Sequence, residues 1–291
     1  REYLEVDGFT ITGVTRWGLS VNSSYITIRN CFMNDSSAWS GLYLGDASFN
    51  KIINNTINGS DASIHMKFNA TRNLVEKNDI GDSGHGCINI VGPEGSTKFG
   101  EGPSYNIVRN NTLHNRFHTS FQLEMNSHHN LIENNIIFNS SKENTTPGSG
   151  LQIDASANII RNNLIYDNEY EGMTLNAYWY DTTFKYCNGN KIYNNVIYGN
   201  GEAHETNTAE SLENNTLKNN IYYNNTNTIY FWSGGDTNES NPFSYNIIFG
   251  NASGQNVVTW KNVPHKLSYM ESNYPEIFFN NTGENPNFLN P

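Results

Sequence analysis

The chain repeats one short phrase almost from end to end. The phrase contains the sequence Asn-Asn-x-Ile, and its clearest copies lie at 50–57 (NKIINNTI), 106–113 (NIVRNNTL), 130–137 (NLIENNII), 158–165 (NIIRNNLI) and 190–197 (NKIYNNVI). The second Asn of the pair, or its equivalent, recurs at positions 30, 55, 78, 111, 135, 163 and 195, at intervals of 23 to 33 residues. Repetition at such intervals is typical of a solenoid, in which each repeat forms one turn and contacts only its neighbours.

The apolar residues of each repeat predict strands. They come in short runs of Ile, Val and Leu that are bounded by Asn and Gly, with no apolar pattern long enough for a helix. One repeat cannot bury its apolar side alone, whereas stacked repeats share a core and a ladder of backbone hydrogen bonds. Asn tolerates a left-handed backbone at tight corners, and Asn side chains stacked turn on turn can hydrogen-bond to one another. The sequence therefore predicts an all-β fold, the parallel β-helix.

Composition favours a rigid, polar, extracellular protein. The 291 residues include 24 Gly and 17 Tyr, only 15% are charged, and the net charge is -11, so no nucleic-acid-binding surface is expected. No apolar run is long enough to span a bilayer. We expect one solenoid domain over 1–291, with regular coils over about 3–250 and an irregular segment over 251–291. Its abrupt ends lead us to expect a segment excised from a longer, secreted protein.

A second phrase precedes each Asn phrase and alternates apolar with other residues. Because neighbouring side chains on a strand point to opposite faces, the non-apolar positions of successive repeats should form two outward columns. The first column is Ser20, Tyr43, His65, Asn89, Gln122, Gln152 and Thr174. The second column is Asn22, Gly45, Lys67, Val91, Glu124, Asp154 and Asn176. Toward the middle, both columns are enriched in groups that bind sugars or move protons, so we expect the functional site there.

Two carboxylates, Glu124 and Asp154, hold the same position in consecutive repeats. Neighbouring strands lie about 4.8 Å apart, and like charges that close raise the pKa of one group while the other stays ionised. Glycosidic hydrolysis needs this division, because one carboxylic acid protonates the leaving oxygen and the other carboxylate acts as nucleophile or base. With Asn176 they also offer oxygen ligands that Ca²⁺ accepts, but no loop has a recognisable Ca²⁺ spacing, and no cofactor is expected.

Basic side chains on the same columns suggest a different reaction. His65 or Lys67 could neutralise the carboxylate of a uronic acid or abstract the proton next to it, as general bases do when their pKa is lowered. Long insertions follow or precede the outward strands at 92–104, 140–149 and 177–189, and such insertions are usually functional. The residues that we expect to bind substrate are Tyr43, Asn89, Gln122, Gln152, Asn176, His85, His118, Arg116, Tyr178 and Trp179.

Over residues 3 to 250, the Asn-Asn-x-Ile coils with an outward functional strip resemble right-handed parallel β-helix proteins of the pectate lyase and polygalacturonase type. The Asn- and Ile-rich composition of the repeats is similar to that of the disaggregatases of methanogenic archaea, which break down a chondroitin-like cell-wall polysaccharide. The hydrolases of this fold carry catalytic acids on adjacent coils, where Glu124 and Asp154 lie. A third acid is usual there, but Val91 and Asn176 hold the neighbouring positions. The lyases use a base on the strip, which Lys67 matches.

Three functions remain open from the sequence. The first is hydrolysis of an acidic, uronate-containing cell-surface polysaccharide by Glu124 and Asp154. The second is a uronate lyase or C5-epimerase that uses Lys67 or His65 as base. The third is a non-catalytic glycan-binding surface module. In each case the expected partner is a polysaccharide outside the cell, and association into a homo-oligomer such as a trimer is compatible with the exposed flat faces of a solenoid.

Overall fold

Three parallel sheets wind around one apolar core in the computed structural model. The structure describes residues 3–34, 39–82, 84–93, 101–141, 148–180, 183–208, 212–231, 240–250, 257–260 and 263–286. Within these ranges only the backbone is described at 116, 178–180, 183–185, 205–208, 227–228 and 257.

The first part of the chain forms twelve short strands. They are β1 (Leu4–Asp7), β2 (Thr10–Thr12), β3 (Trp17–Val21), β4 (Ile26–Arg29), β5 (Phe32–Asn34), β6 (Ser40–Gly45), β7 (Lys51–Ile53), β8 (Thr56–Asn58), β9 (Ala62–Lys67), β10 (Leu74–Glu76), β11 (Asp79–Gly81) and β12 (Gly86–Val91).

The middle part continues the same pattern. Its strands are β13 (Ile107–Arg109), β14 (Thr112–Arg116), β15 (Phe121–Glu124), β16 (Leu131–Glu133), β17 (Ile136–Ser140), β18 (Leu151–Ile153), β19 (Ile159–Arg161), β20 (Leu164–Tyr166), β21 (Glu171–Tyr180), β22 (Thr183–Lys185), β23 (Lys191–Tyr193), β24 (Val196–Tyr198) and β25 (Glu202–Thr208).

The last part adds eight strands and one short helix. They are β26 (Thr216–Lys218), β27 (Ile221–Tyr223), β28 (Asn227–Phe231), β29 (Phe243–Ser244), β30 (Ile247–Phe249), β31 (Val257–Trp260), β32 (Val263–Lys266), α1 (Leu267–Asn273) and β33 (Phe278–Phe279).

Every third strand joins the same sheet. Sheet A has the order β1-β4-β7-β10-β13-β16-β19-β23-β26-β29-β33, and sheet B has the order β2-β5-β8-β11-β14-β17-β20-β24-β27-β30. Sheet C has the order β3-β6-β9-β12-β15-β18-β21-β25-β28-β31-β32, and β22 pairs with β21 outside this order. All described pairs are parallel except β21 with β22 and β31 with β32. This arrangement confirms the parallel β-helix predicted from the sequence.

The core is built from the middle residue of each three-residue strand. In sheet A these inward residues stack in register and are at most 1% exposed, and they are Ile28, Ile52, Val75, Val108, Ile132, Ile160, Ile192 and Leu217. Each contributes roughly 1.5–3 kcal/mol of hydrophobic stabilisation relative to an exposed side chain. The continuous row explains why the repeat keeps an aliphatic residue there.

The Asn-Asn pairs form the corners, as the sequence predicted. The first Asn takes the left-handed backbone, with φ of 56° at Asn54 and Asn110 and 55° at Asn134. The second points inward, and the amide of Asn111 donates to the carbonyl of Val75 (3.0 Å) and to Oδ1 of Asn135 (3.0 Å). The same pattern recurs along the solenoid, so the Asn side chains satisfy backbone groups that the turns leave without strand partners.

Segments beyond residue 250 also contribute to the sheets. Val257–Trp260 extends sheet C, and Phe278–Phe279 pairs with β29 in sheet A. Between them, α1 buries Leu267 and Met270 against the end of the core. Part of the segment predicted to be irregular therefore continues the solenoid. None of the helices in the described ranges is long and apolar enough to cross a membrane.

Candidate functional site

Sheet C carries the two outward columns that the sequence predicted. In the first column, Tyr43 pairs with His65, His65 with Asn89, and Asn89 with Gln122. In the second, Gly45 pairs with Lys67, Lys67 with Val91, and Val91 with Glu124. The columns arise because the inward residues of these strands are apolar and stack coil on coil, which forces the intervening residues outward.

Glu124 and Asp154 lie on consecutive coils, as expected. The register pairs Leu123 with Ile153, and the backbone N–H of Asp154 donates to the carbonyl of Leu123 at 2.7 Å. Asp154 is only 1% exposed, and its Oδ2 accepts a hydrogen bond from Nε2 of Gln152 at 2.5 Å. Burial raises the pKa of Asp154 well above its ordinary value, and the nearby charge of Glu124 raises it further. Hydrogen bonds from Gln152 and Asn176 lower the pKa, but by less. Burial and the charge of Glu124 therefore favour the protonated form of Asp154.

Glu124 is the accessible member of the pair. It is half-buried, and burial raises its pKa while the positive charge of Lys67 lowers it. Because Asp154 is almost completely enclosed, its carboxyl group does not reach the surface on which a glycan would lie. The pair thus divides into a buried carboxyl group whose protonated form is favoured and a half-buried carboxyl group whose pKa is lowered by Lys67 against the effect of burial.

An open cavity of about 360 Å³ lies over the N-terminal half of the strip. It brings together five residues that the sequence analysis singled out, which are Tyr43, His65, Lys67, His85 and Asn89. Aromatic residues that the sequence analysis did not select complete the walls, and they are Trp17, Trp39 and Phe68. A concave site with aromatic walls and a few polar groups is the usual form of a small-ligand site.

The aromatic wall is organised around Tyr43. Its ring stacks on Trp17 with centroids 4.9 Å apart and meets His65 edge-on at 6.0 Å. Gly45 is required for this arrangement, because a Cβ there would lie 2.8 Å from Cε1 of Tyr43. Burial is the main cause that raises the pKa of the Tyr43 phenol, and the charge of Asp46 raises it further. The charge of Arg16 lowers the pKa, but by less. The phenol is therefore protonated at neutral pH.

His65 lines this cavity and has one ring nitrogen without a hydrogen-bond partner among the described residues. Its Nε2 is buried and has no hydrogen-bond partner within the described part of the chain, and the same holds for Oδ1 of Asn89. Burial lowers the pKa of His65 to about 4, with further lowering by the charges of Lys67 and His85. At neutral pH the ring is uncharged and can accept a proton, and a buried polar atom without a partner is a candidate for contact with a ligand.

The other predicted residues are dispersed. His85 and His118 stack on each other at 5.2 Å, and only His85 lines the cavity. Gln122 is 4% exposed, which leaves its side chain little contact with solvent. Gln152 is engaged by Asp154 and by the hydroxyl of Thr119 at 3.4 Å.

For three further predicted residues, Arg116, Tyr178 and Trp179, the structure describes the backbone alone. The backbone of Arg116 pairs with Ser140 in sheet B, so its strand does not belong to the strip. Tyr178 and Trp179 belong to the hairpin of β21 and β22, where Trp179 pairs with Phe184. The side chains of Arg116, Tyr178 and Trp179 lie outside the described part of the structure, and so do large parts of the insertions at 92–104, 140–149 and 177–189.

The sequence contains a weak signal for the residues that were missed. Trp17 begins a sheet C strand and Trp39 directly precedes the next one, so the two large aromatic residues lie at similar positions one repeat apart. For metals, the described residues contain no group of three or more His, Cys, Asp or Glu side chains arranged to hold an ion.

Comparison with known proteins identifies the fold family. A family model for the right handed beta helix region matches residues 1–153 and 94–186. Among solved structures, an alginate lyase from Paenibacillus has a TM-score of 0.54 at 14% identity, covering 79% of this chain and 90% of the lyase. A mannuronan C-5 epimerase module from Azotobacter vinelandii has a TM-score of 0.50 at 12% identity, covering 75% of this chain and 64% of the module.

A phage protein shows the same fold. The tailspike of the E. coli bacteriophage HK620, in complex with a pentasaccharide, has a TM-score of 0.56 at 13% identity, covering 89% of this chain and 54% of the tailspike. The chain therefore spans less than two thirds of the epimerase module and about half of the tailspike. No curated protein sequence matches it significantly. These identities establish the architecture alone, and the match of the family model to more than half of the sequence shows that the chain belongs to the right-handed β-helix family.

Proposed function

We propose that this protein depolymerises an extracellular, uronate-containing polysaccharide by β-elimination in the cavity around His65. The observation that carries the proposal is the neutral His65, which lines the cavity beside Lys67 and Tyr43 and whose buried Nε2 has no hydrogen-bond partner in the described structure. Elimination from a uronic acid needs a base for the C5 proton, a cation for the carboxylate and an acid for the leaving oxygen. These three side chains supply that set.

Each group has one role in this reaction. Lys67 binds the carboxylate and stabilises the negative charge that develops on it, and Nε2 of His65 takes the proton from C5. The electron pair of the C5–H bond forms the C4=C5 double bond as the C4–O4 bond breaks. The departing O4 takes its proton from the Tyr43 phenol. The products are an unsaturated uronate and a new reducing end, with no water consumed.

An anionic substrate would strengthen the base. The pKa of His65 is lowered first by burial and then by the charges of Lys67 and His85. A uronate carboxylate bound at Lys67 adds a nearby negative charge, which favours the protonated imidazole and raises the pKa of His65. The base is therefore more effective with substrate bound than in the free protein.

Hydrolysis by the carboxylates is the second candidate. It is supported by the raised pKa of Asp154, which favours the protonated form of that group beside Glu124. Hydrolysis needs such a pair, with one carboxylic acid and one carboxylate that acts as nucleophile or base. It is the weaker candidate because Asp154 is 1% exposed and would have to be uncovered before it could protonate a glycosidic oxygen.

Product analysis separates the candidates. The protein is incubated with chondroitin, alginate, polygalacturonate and glucuronoxylan, the first chosen because of the resemblance to disaggregatases, and products are followed by reducing ends and ultraviolet absorbance. We expect absorbing products, since elimination creates a conjugated C4=C5 bond. New reducing ends without absorbance would indicate hydrolysis, inversion at C5 without cleavage would indicate epimerisation, and binding without products would indicate a glycan-binding module.

Matched variants test the residues. We expect His65→Gln to lower kcat/KM by about 10²–10⁴, the usual contribution of a general base, whereas His265→Gln on β32 has no effect. Lys67→Met should raise KM and lower kcat, compared with Lys51→Met on the outer face of sheet A. Glu124→Gln should retain most of the elimination activity. Loss of activity in Glu124→Gln with full activity in His65→Gln would reverse the assignment in favour of hydrolysis.

A further inference from the structure

We infer that the outward face of sheet B is the surface through which two copies of this chain associate, face to face about a two-fold axis. The inference goes beyond the proposed function and does not depend on it. It rests on the side chains that this face presents from β17 to β30, on how they pack, and on the charges along its two edges.

The last five strands of sheet B present apolar side chains on the outside of the solenoid. The middle residue of each strand lies in the core, and the residues on either side of it point outward and are half-buried or exposed. Before β17 the equivalent positions hold polar residues such as Thr56, Asp79 and Thr112. We call the outward residues the apolar face, and they are Ile136, Phe138, Leu164, Tyr166, Val196, Tyr198, Ile221, Tyr223, Ile247 and Phe249.

The aromatic rings of the apolar face stack on one another from coil to coil. The centroids of Phe138 and Tyr166 are 5.0 Å apart with planes 11° from parallel, and those of Tyr166 and Tyr198 are 5.1 Å apart with planes 4° from parallel. The neighbouring rings thus cover both faces of the Tyr166 ring and leave its edges for outside contacts. A sugar would need an open ring face for stacking, whereas ring edges beside aliphatic side chains pack well against another sheet.

The apolar face carries no charge, although the net charge of the chain is -11. Sheet A, in contrast, has charged outward residues along its length, among them Lys51, Arg109 and Arg161, and sheet C carries the candidate site. Two acidic copies repel each other least where neither presents a charge. Contact through the apolar face removes exposed apolar surface from water without burying an unpaired charge.

The two edges of the apolar face carry opposite charges. Where sheet B turns toward sheet C, Asp167 and Glu169 are exposed and line a shallow depression of about 300 Å³ with Gly199. Where sheet A turns toward sheet B, Lys218 is exposed, and its Nζ lies 4.9 Å from the ring centroid of Tyr245. A two-fold axis along the solenoid places the acidic edge of each copy opposite the basic edge of the other. A second copy therefore complements the face in charge as well as in polarity.

The size of the apolar face sets the strength of the association. Adjacent strands lie about 4.8 Å apart, so five strands extend for about 24 Å, and a short strand with its adjoining corners spans about 15 Å. Two such faces bury on the order of 1,000 Å² in total, near the lower limit for a specific interface and below the roughly 1,600 Å² of a standard one. The dimer is therefore weak and forms as the concentration rises, and both cavities on sheet C stay open.

The test is sedimentation equilibrium of the full chain from about 1 to 300 µM, where we expect monomer at the low end and dimer at the high end. Val196→Lys, at the centre of the apolar face, should raise the dissociation constant about tenfold or more, because the dimer would bury an unpaired charge. Thr56→Lys is the matched control, at the equivalent half-buried position of β8, and should associate like wild type. Thermal unfolding confirms that both variants are folded.

Several results would overturn the inference. They are a monomer at every concentration, a trimer, or a dimer that Val196→Lys leaves intact. A monomer that binds phosphatidylcholine vesicles through this face, with binding lost in Val196→Lys, would overturn it too and assign the face to a lipid surface.

Exchanging the edge charges tests the two-fold arrangement at exposed positions that folding tolerates. Glu169→Lys and Lys218→Glu should each weaken the dimer severalfold, because each places like charges opposite one another. The double variant should restore the wild-type dissociation constant, since opposite charges then face each other again across the interface. A double variant that associates no more tightly than the single variants would contradict the inference, and so would single variants that associate like wild type.

Discussion

Lys67 and Glu124 occupy the same outward column two coils apart, with Val91 between them, and the charge of Lys67 counteracts the rise in pKa that burial imposes on Glu124. Val91 carries no charge and is only 6% exposed, so no charged side chain lies between Lys67 and Glu124 in this column. The cavity around His65 and the carboxylates of the next coils are thereby one electrostatic unit.

The first prediction concerns the titration of His65. Its pKa is lowered to about 4 by burial first, and by Lys67 and His85 next. Removing the positive charge in Lys67→Met should therefore raise the pKa of His65, and adding an oligogalacturonate to the wild-type protein should also raise it. The measurement is an NMR titration of imidazole-labelled protein. An unchanged pKa in Lys67→Met would show that the two side chains are not coupled.

The same titration predicts a pH dependence of the reaction. The base must be neutral to accept a proton, so kcat/KM should fall as the pH drops through the pKa of the free His65, about 4. In Lys67→Met the acidic limb should move to higher pH, in the same direction as the NMR value. An acidic limb that stays in place while the NMR pKa moves would exclude His65 as the base.

The second prediction is that Asp154→Asn stabilises the protein most at high pH. The folded pKa of Asp154 is raised, so its favourable contribution is present below the unfolded pKa of 3.8 and is lost as the pH rises through the folded value. Asparagine retains an oxygen that can accept the bond from Gln152 and carries no charge. We expect Tm to rise at pH 8 and to change little at pH 4. A Tm lower than wild type at both pH values would contradict this account.

The third prediction tests the Asn ladder. Asn111 is 1% exposed, and its side chain bridges Val75, Asn78 and Asn135. We expect Asn111→Ala to lower the free energy of unfolding by about 2–4 kcal/mol, because it leaves more than one buried polar group unpaired. Urea unfolding measures this, with the exposed Asn69→Ala as control. Equal stability of the two variants would show that the ladder is not required.

The fourth prediction concerns His204, which is fully buried with neither ring nitrogen hydrogen-bonded within the described structure. Burial lowers its pKa from 6.5 to about 3. Below pH 6.5 this imidazole is protonated in the unfolded chain but stays neutral in the folded protein. The free energy of unfolding therefore falls as the pH drops below 6.5, by about 2 kcal/mol at pH 5.

His204→Leu should remove that acid-induced loss. We expect the variant to have a higher Tm than wild type, with the difference growing from pH 7 to pH 4. His265→Leu, at a partly exposed position on β32, should follow the wild-type curve. Parallel curves for wild type and His204→Leu would mean that His204 is hydrated or paired in solution.

Much of the fold could be predicted from residue patterns. Rows such as Ile52, Val75 and Val108 and the corners at Asn54 and Asn110 follow from local rules, because strand side chains alternate and Asn accepts the left-handed backbone. The positions of His65 and Lys67 on adjacent outward columns followed from the same alternation. The contribution of residues beyond 250 did not, since two-residue strands such as Phe278–Phe279 have no periodicity to read.

The sequence by itself determined the coil, the identity of its inward and outward residues, and the order in which the outward side chains follow one another. Only the tertiary structure decided which of those side chains a substrate could reach. It enclosed Asp154, left His65 partly exposed at the cavity, and set Trp17 and Trp39 at the same cavity. The reason is that alternation and stacking are local and repeat with every coil, whereas burial depends on how side chains of several coils pack together in space.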